Sequence, residues 1–183
     1  ERSFGLQKLF EALSSSYPDL RIAMKTAERG QIPDDAQVVL GTQALVASLP
    51  DLRPSLVVFP GADSFLSVPD FRADERFFLL VHECLAASAR PDCQFIIQTR
   101  SPSLAVFRAL ASGDSETFYR HEREVRRQMS FPPFALLVRI DVEGRGEAVL
   151  SGRKRFVEDT LARAGLTPSH SGPGSRSGRK GML

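Results

Sequence analysis

Cysteine is scarce in this chain. Two in 183 residues, Cys84 and Cys93, leave no material for a disulfide framework, and with His82 they lack the paired close spacings of a zinc site. Each sits in an apolar stretch, where a free thiol behaves as a small hydrophobe, as suits a reducing compartment. No apolar run reaches the roughly 18 residues that a membrane-spanning helix needs, and no basic-then-apolar leader opens the chain, so the expected location is cytoplasmic. Internal repeats are absent too. The chain starts on Glu1 and enters a helical pattern almost at once, which reads as a piece of a longer protein.

What is present is globular. A hydrophobic share of 42% with 25% charged residues suits one domain of ordinary size, or one domain and part of a second. The net charge is only +2, but it is unevenly spread: residues 1–142 carry 16 basic and 18 acidic groups, and residues 143–183 carry 8 and 4. A basic tilt of that kind favours a polyanionic partner such as DNA; the plainer alternative is a solvated surface.

Leu6, Leu9, Phe10 and Leu13 recur at i, i+3, i+4 and i+7 and share one stripe of a helix over about 3–16, which Pro18-Asp19 ends. Short β-favouring runs follow at Leu20 to Met24, Gln37 to Leu40, Leu56 to Phe59 and Gln94 to Gln98. Each is almost continuously apolar, the pattern of a strand covered on both faces. The longest intervening helix is expected over 70–89, with Phe71, Phe78, Val81 and Leu85 at helical spacing. Strands alternating with helices imply crossover connections, so the expected fold class is α/β, a mostly parallel sheet flanked by helices, over 1–112. A helix over 116–129, a strand over 134–142 after the helix-breaking Phe131-Pro132-Pro133-Phe134, and a helix over 146–164 make a connecting helix and a partial small α/β domain over 113–166. The remainder, 167–183, is rich in Ser and Gly and is expected to be disordered.

Gly41-Thr42-Gln43 closes an apolar strand, the place where open α/β sheets hold ligands, although simple turn chemistry explains the same residues. Asp70, Asp74 and Glu75 are acid/base or metal-binding groups by type. They also fall in the first turn of a predicted helix, where negative charge is favourable against the helix dipole and Asp70 offers an N-cap, and this structural reading is preferred. Arg72 and Arg76 are expected to pair with those carboxylates and are also candidate DNA contacts. In the later helix Glu116 reaches Arg120 and Glu122 reaches Arg126 at i,i+4, while Arg120, Arg123 and Arg127 share one face. That face is either a set of phosphate contacts or a solvated surface laced with ion pairs. Three phosphate contacts, at a slope of about 0.9 each, would give salt-sensitive but weak binding.

Five motifs in consistent order then carry a resemblance: Gly41-Thr42-Gln43; Ala62-Asp63; Pro69-Asp70-Phe71-Arg72-Ala73 with Glu75-Arg76; Ile96-Ile97-Gln98-Thr99; and Pro132-Pro133-Phe134 after an arginine-rich helix. Over about 1–164 the chain resembles the second helicase lobe and the start of the C-terminal domain of the primosomal protein N′ (PriA) family of replication-restart helicases. The resemblance implies an abridged RecA-like helicase lobe in a protein that recognises abandoned forks, binds branched DNA and starts reloading of the replicative helicase. It also implies single-strand DNA-binding protein and primosome components as partners, and a nucleoid-associated place in the cytoplasm. Family members carry their ATP phosphate loop and a zinc insertion in other domains. No cofactor is therefore expected in this segment.

The resemblance also marks departures. Family members end the long helix in a Gln-Val-Ala-Gly-Arg-Ala-Gly-Arg type run, whose arginines approach the phosphates of bound ATP. Here the glutamine falls on Glu83, the glycines on Ala86 and Ala89, the first arginine on Ala87 and the second on Arg90. An arginine at a transferring phosphoryl group is typically worth about 10³ to 10⁵ in rate, or roughly 4 to 7 kcal/mol, and alanine supplies none of it. Pro91 biases the backbone of Arg90 away from helix. After Gly41-Thr42-Gln43 the family continues with lysine and glycine, where this chain has Ala47-Ser48. Gly41, Thr42, Gln43 and Arg90 are thus a vestigial nucleotide-binding set, and no catalytic or metal-binding residue is assigned. A Gly-Arg-Tyr-Arg type strand, associated in the family with partner contacts, is replaced by the Ser/Gly/Arg tail. The expected function is replication restart and primosome assembly on branched DNA without ATP-driven unwinding. The alternatives are an active 3′-to-5′ helicase whose other motifs lie upstream, and a structural protein-interaction module that binds no DNA.

Overall fold

The computed structural model describes residues 5–26, 31–88 and 90–166, which divide into two compact units between Leu136 and Leu137. The first unit opens with α1 (Leu6–Ser16), packed on β1 (Ile22–Lys25) and β2 (Val38–Gly41). These strands pair in parallel with Ile22 opposite Val38. Arg21 fastens the crossover between them: its Nε donates to the Asp35 carbonyl at 2.7 Å, and its backbone N–H donates to Gln37 Oε1 at 3.2 Å. A 3₁₀ helix (Gln43–Ser48) and α2 (Leu49–Leu52) lead to β3 (Leu56–Phe59), α3 (Asp63–Leu66), α4 (Ala73–Ala87) and β4 (Gln94–Ile97). β4 is parallel to β3, with Leu56 opposite Gln94. α5 (Ala105–Ser112) stops at Gly113, whose φ of +70° is the left-handed C-cap conformation that glycine adopts without strain. α6 (Ser115–Gln128) then starts at Asp114, whose carboxylate accepts from the Thr117 N–H at 2.9 Å. In the second unit, irregular chain leads to α7 (Glu147–Arg163).

The core is aromatic. Phe77, Phe78 and Phe118, with Val81 and Val106, are its most completely enclosed side chains. Phe77 meets Phe59 and Phe107 edge-on at 5.7 and 5.9 Å, and Phe78 stacks on Phe118 at 4.1 Å. α4 thus packs on β3 and α5 through Phe77 and on α6 through Phe78.

Parallel pairing and flanking helices agree with the α/β expectation; the four strands form two separate pairs. Several local expectations are corrected. β3 and β4 are covered on one face only: Phe59 is buried, whereas Leu56, Val58 and Ile96 are 46%, 48% and 50% exposed. A continuous apolar run reports β-preference and cannot say which faces find a partner. The region 134–142 is not a strand, and no second strand among the described residues supplies it with a ladder. The long helix begins at Ala73 instead of Asp70, with Arg72 at its N-cap. Its buried face runs through Phe77, Leu80, Val81 and Cys84, while Leu85 is 43% exposed and Phe71 precedes the helix. Neither α5 nor the short helices around residues 43–52 and 63–66 were expected from periodicity, being too brief to show it. The Ser/Gly-rich tail over 167–183 and Ala89 lie outside the described residues.

Candidate nucleic-acid interface

The Asp70 to Arg76 segment is welded to α6. Phe118, Glu122 and Arg126 recur at i, i+4 and i+8, so one stripe of α6 faces α4 although most of that helix is charged. Arg126 Nη2 donates to Glu75 Oε2 at 2.9 Å and to Glu122 Oε2 at 3.3 Å. Its guanidinium also lies 5.3 Å from the centre of the Phe71 ring, which stacks on Phe131 of the Pro-Pro segment at 5.1 Å. Arg126 is 14% exposed, Glu122 11% and Glu75 27%, and the Arg126 Nε is buried without a hydrogen-bond partner. Burial works against the Arg126 cation, yet the hydrogen bond and charge of Glu75, with those of Glu122, hold its pKa above the ordinary arginine value. Burial raises the pKa of Glu122, Arg126 opposes the rise, and Asp74 and Glu75 add to it. Burial likewise raises Asp74, with His121 acting against it. Two carboxylates, Glu75 and Glu122, therefore converge on one guanidinium, with the charge of Asp74 bearing on Glu122.

Asp70 does not cap α4. Its carboxylate accepts from the Arg72 N–H at 2.9 Å and pairs with Arg76 Nη1 at 2.7 Å, so it fastens the turn before the helix. Arg72 makes no ion pair among the described residues; its guanidinium lies 5.0 Å above Phe71. The other candidate DNA contacts share an open groove along α6, lined by Thr117, Arg120, His121, Arg123, Glu124 and Arg127. Arg120 is tied to Glu116 at 2.8 Å, and Arg127 to Glu124 at 3.6 Å while also lying 5.0 Å from the Phe134 ring. Arg123 has no ion pair among the described residues. Among the described residues the five candidate arginines thus fall into two groups: Arg72 and Arg123 pair with no carboxylate, and Arg76, Arg120 and Arg127 are already paired.

At the far end of α4, Ser88 is buried and donates from Oγ to the Leu85 carbonyl at 3.0 Å. Ala87 packs against the core, and Ala86 points outward. Packing of the last turn is therefore carried by Cys84, Ala87 and Ser88, not by the whole alanine run. Arg90 is held in a two-pronged pair with Asp92, Nε to Oδ1 at 3.0 Å and Nη2 to Oδ2 at 2.6 Å. The hydrogen bond to Asp92 raises the Arg90 pKa and lowers that of Asp92.

The turn at Gly41 shows a packing reason for its glycine. A Cβ there would sit 2.8 Å from Leu45 Cβ and 2.9 Å from the Lys25 carbonyl oxygen. Thr42 and Gln43 are exposed, and Thr42 makes no side-chain cap. No hydrogen bond or ion pair among the described residues joins this turn to Arg90. Sequence reasoning missed a knot at the C-terminal ends of β3 and β4. Asp63 accepts from Thr99 Oγ1 at 2.9 Å and the Arg100 N–H at 3.0 Å, and the latter bond leads in lowering its pKa. The Gln98 carbonyl accepts from the Ala62 N–H at 2.8 Å. Two of the motifs, Ala62-Asp63 and Gln98-Thr99, thus meet in space. Among the described residues no group of three or more His, Cys, Asp or Glu is placed to hold a metal ion, and no helix is long and apolar enough to cross a membrane.

No protein-family model matches the chain. It is 36% identical to Replication restart protein PriA of Bacillus subtilis over 152 residues, covering 75% of this chain and 19% of that protein. It is 33% identical to the protein of the same name from Treponema pallidum over 150 residues, 74% of this chain and 22% of that one. With the Synechocystis protein of that name the identity is 30% over 171 residues, 86% and 20% respectively. The chain spans about a fifth of the length of these relatives.

Proposed function

Because the chain is a PriA-like segment of a replication restart protein, we propose that the protein assembles at branched DNA of stalled replication forks without ATP-driven unwinding. The observation that carries the second half is Arg90. The resemblance leaves it as the one motif arginine retained, and Asp92 already holds one edge of its guanidinium through Nε and Nη2. A phosphoryl group there would meet a guanidinium whose charge is already shared with that carboxylate, and Ala87 offers no cation to help. Gly41, Thr42 and Gln43 belong to the same vestigial set, with Gly41 kept for close packing. ATP and zinc belong to other parts of such proteins, and single-strand DNA-binding protein and primosome components are the partners this reading implies. Nucleoid association follows from it.

DNA contact is assigned first to Arg72 and Arg123, which have no carboxylate to surrender. Arg76, Arg120 and Arg127 would have to exchange exposed ion pairs for phosphate, a substitution of nearly equal value because such pairs contribute only about 0–1 kcal/mol. Titration of fork DNA with the full-length protein at two salt concentrations tests this. Binding should weaken with salt, and Arg72→Ala with Arg123→Ala should reduce the slope of log K against log salt by about 2 if both contact duplex phosphates. The pairing of Arg76, Arg120 and Arg127 favours a second reading, a protein-interaction module without DNA contact. Salt-insensitive behaviour, or no binding, would support that reading instead.

A further inference from the structure

Arg72 is held at three points, and none of them is an ion pair of its side chain. Its backbone N–H donates to Asp70 Oδ1 at 2.9 Å, and its carbonyl accepts from the Arg76 N–H at 2.8 Å. The other oxygen of Asp70 goes to Arg76, at 2.7 Å. The third point is the Phe71 ring, whose centre lies 5.0 Å from the Arg72 guanidinium. That ring is itself fixed: Phe131 stacks on it at 5.1 Å, and Arg126 lies 5.3 Å from its centre while bonded to Glu75 and Glu122. We propose that Phe71 is a positioning residue for the DNA contact of Arg72, its ring holding the guanidinium ready for phosphate without neutralising it.

The other arginines of this surface show what the ring changes. A carboxylate fixes a guanidinium by neutralising it and by accepting its N–H donors, as Asp70 does for Arg76 and Glu116 for Arg120. An aromatic ring attracts the cation through its quadrupole and cancels none of its charge. The N–H donors of the guanidinium fork therefore stay available to phosphate oxygens. Immobilising a freely rotating arginine at the moment of binding weakens an interface by about 2- to 10-fold, and a side chain held beforehand escapes that loss. The ring can hold Arg72 only while its own place is fixed, which Phe131 and Arg126 provide. The buried knot on α6 thereby acts on the phosphate side of the motif through one aromatic side chain. This inference rests on the reading of Arg72 as a phosphate contact.

Titration of fork DNA with the full-length protein over a salt series tests it. Arg72→Ala should weaken binding and lower the slope of log K against log salt by about 0.9, the value for one duplex phosphate. Phe71→Leu should weaken binding about 2- to 10-fold with the slope unchanged, because the cation is still there. In the Arg72→Ala background Phe71→Leu should weaken it no further, and Phe71→Tyr, which keeps the ring, should bind as the unaltered protein does. Phe71→Met, apolar and without a ring, repeats the comparison where the leucine variant loses helix content by circular dichroism. A merely structural Phe71 would weaken binding equally with and without Arg72, and that result would overturn the proposal. Binding that falls with Arg72→Ala but is indifferent to Phe71→Leu would overturn this inference alone and leave the DNA reading standing. If Arg72→Ala changes neither affinity nor slope, Arg72 leaves the DNA reading and this inference fails with it.

Discussion

The two ends of α4 have been treated differently. At its start, Glu75 meets a buried guanidinium from α6, and Phe71 just before it is clasped between Arg126 and Phe131. At its finish the side chains are small, and the next cation, Arg90, is neutralised two residues away by Asp92. The same helix thus carries charges that hold helices together at its start and small side chains at its finish. A charge is retained where its removal would strand a partner in low dielectric, and it is dispensable where it ends in solvent.

The largest effect separating the two ends should come from Arg126→Met, which leaves Glu75 and Glu122 facing each other. Breaking a fully buried pair costs about 3–5 kcal/mol, but Glu75 keeps some access to water, so a loss of about 1–3 kcal/mol is expected in urea unfolding. A loss below about 0.5 kcal/mol, the size of a surface substitution, would show that α6 is held by Phe118 alone.

A smaller effect concerns pH. Asp74 and Glu122 have folded pKa values raised mainly by burial, so the folded chain binds protons more tightly than the unfolded one. Their contribution to stability is therefore greatest below their unfolded pKa values and is lost as pH rises through the folded ones. Asp74→Asn should stabilise the protein slightly at pH 7 and flatten this part of the pH profile. Thermal unfolding from pH 7 down to about 4, the unfolded carboxylate range, checks this, and an unchanged profile would mean that Asp74 carries no such cost. Smallest of all should be the effect of Arg90→Ala on the melting temperature, since Asp92 is its only ion-pair partner among the described residues.

The sequence made some of this legible, and the reasons are local. β3 was legible to the residue because Pro54-Ser55 and Pro60 bracket an unbroken run of β-formers. The i,i+4 pairs of α6 were legible because spacing alone defines them, and both form. The start of α4 was misplaced because Asp70 accepts the N–H two residues on, closing a turn that a capping rule mistakes for the helix itself. The region 134–142 shows the limit of propensity: its residues suit a strand, and a strand exists only beside another. Glu75 was read as a favourable charge near a helix dipole. Its partner lies fifty-one positions away in a helix whose pattern shows only Phe118 as a deeply buried apolar residue.

The most direct test of segment as architecture and not as half of a motor is DNA-stimulated ATP hydrolysis by the full-length protein, alongside Arg90→Ala. We expect turnover at background with and without fork DNA, unaltered by the substitution. Hydrolysis that rises with DNA and disappears with Arg90→Ala would contradict it, because Arg90 would then be serving a phosphate.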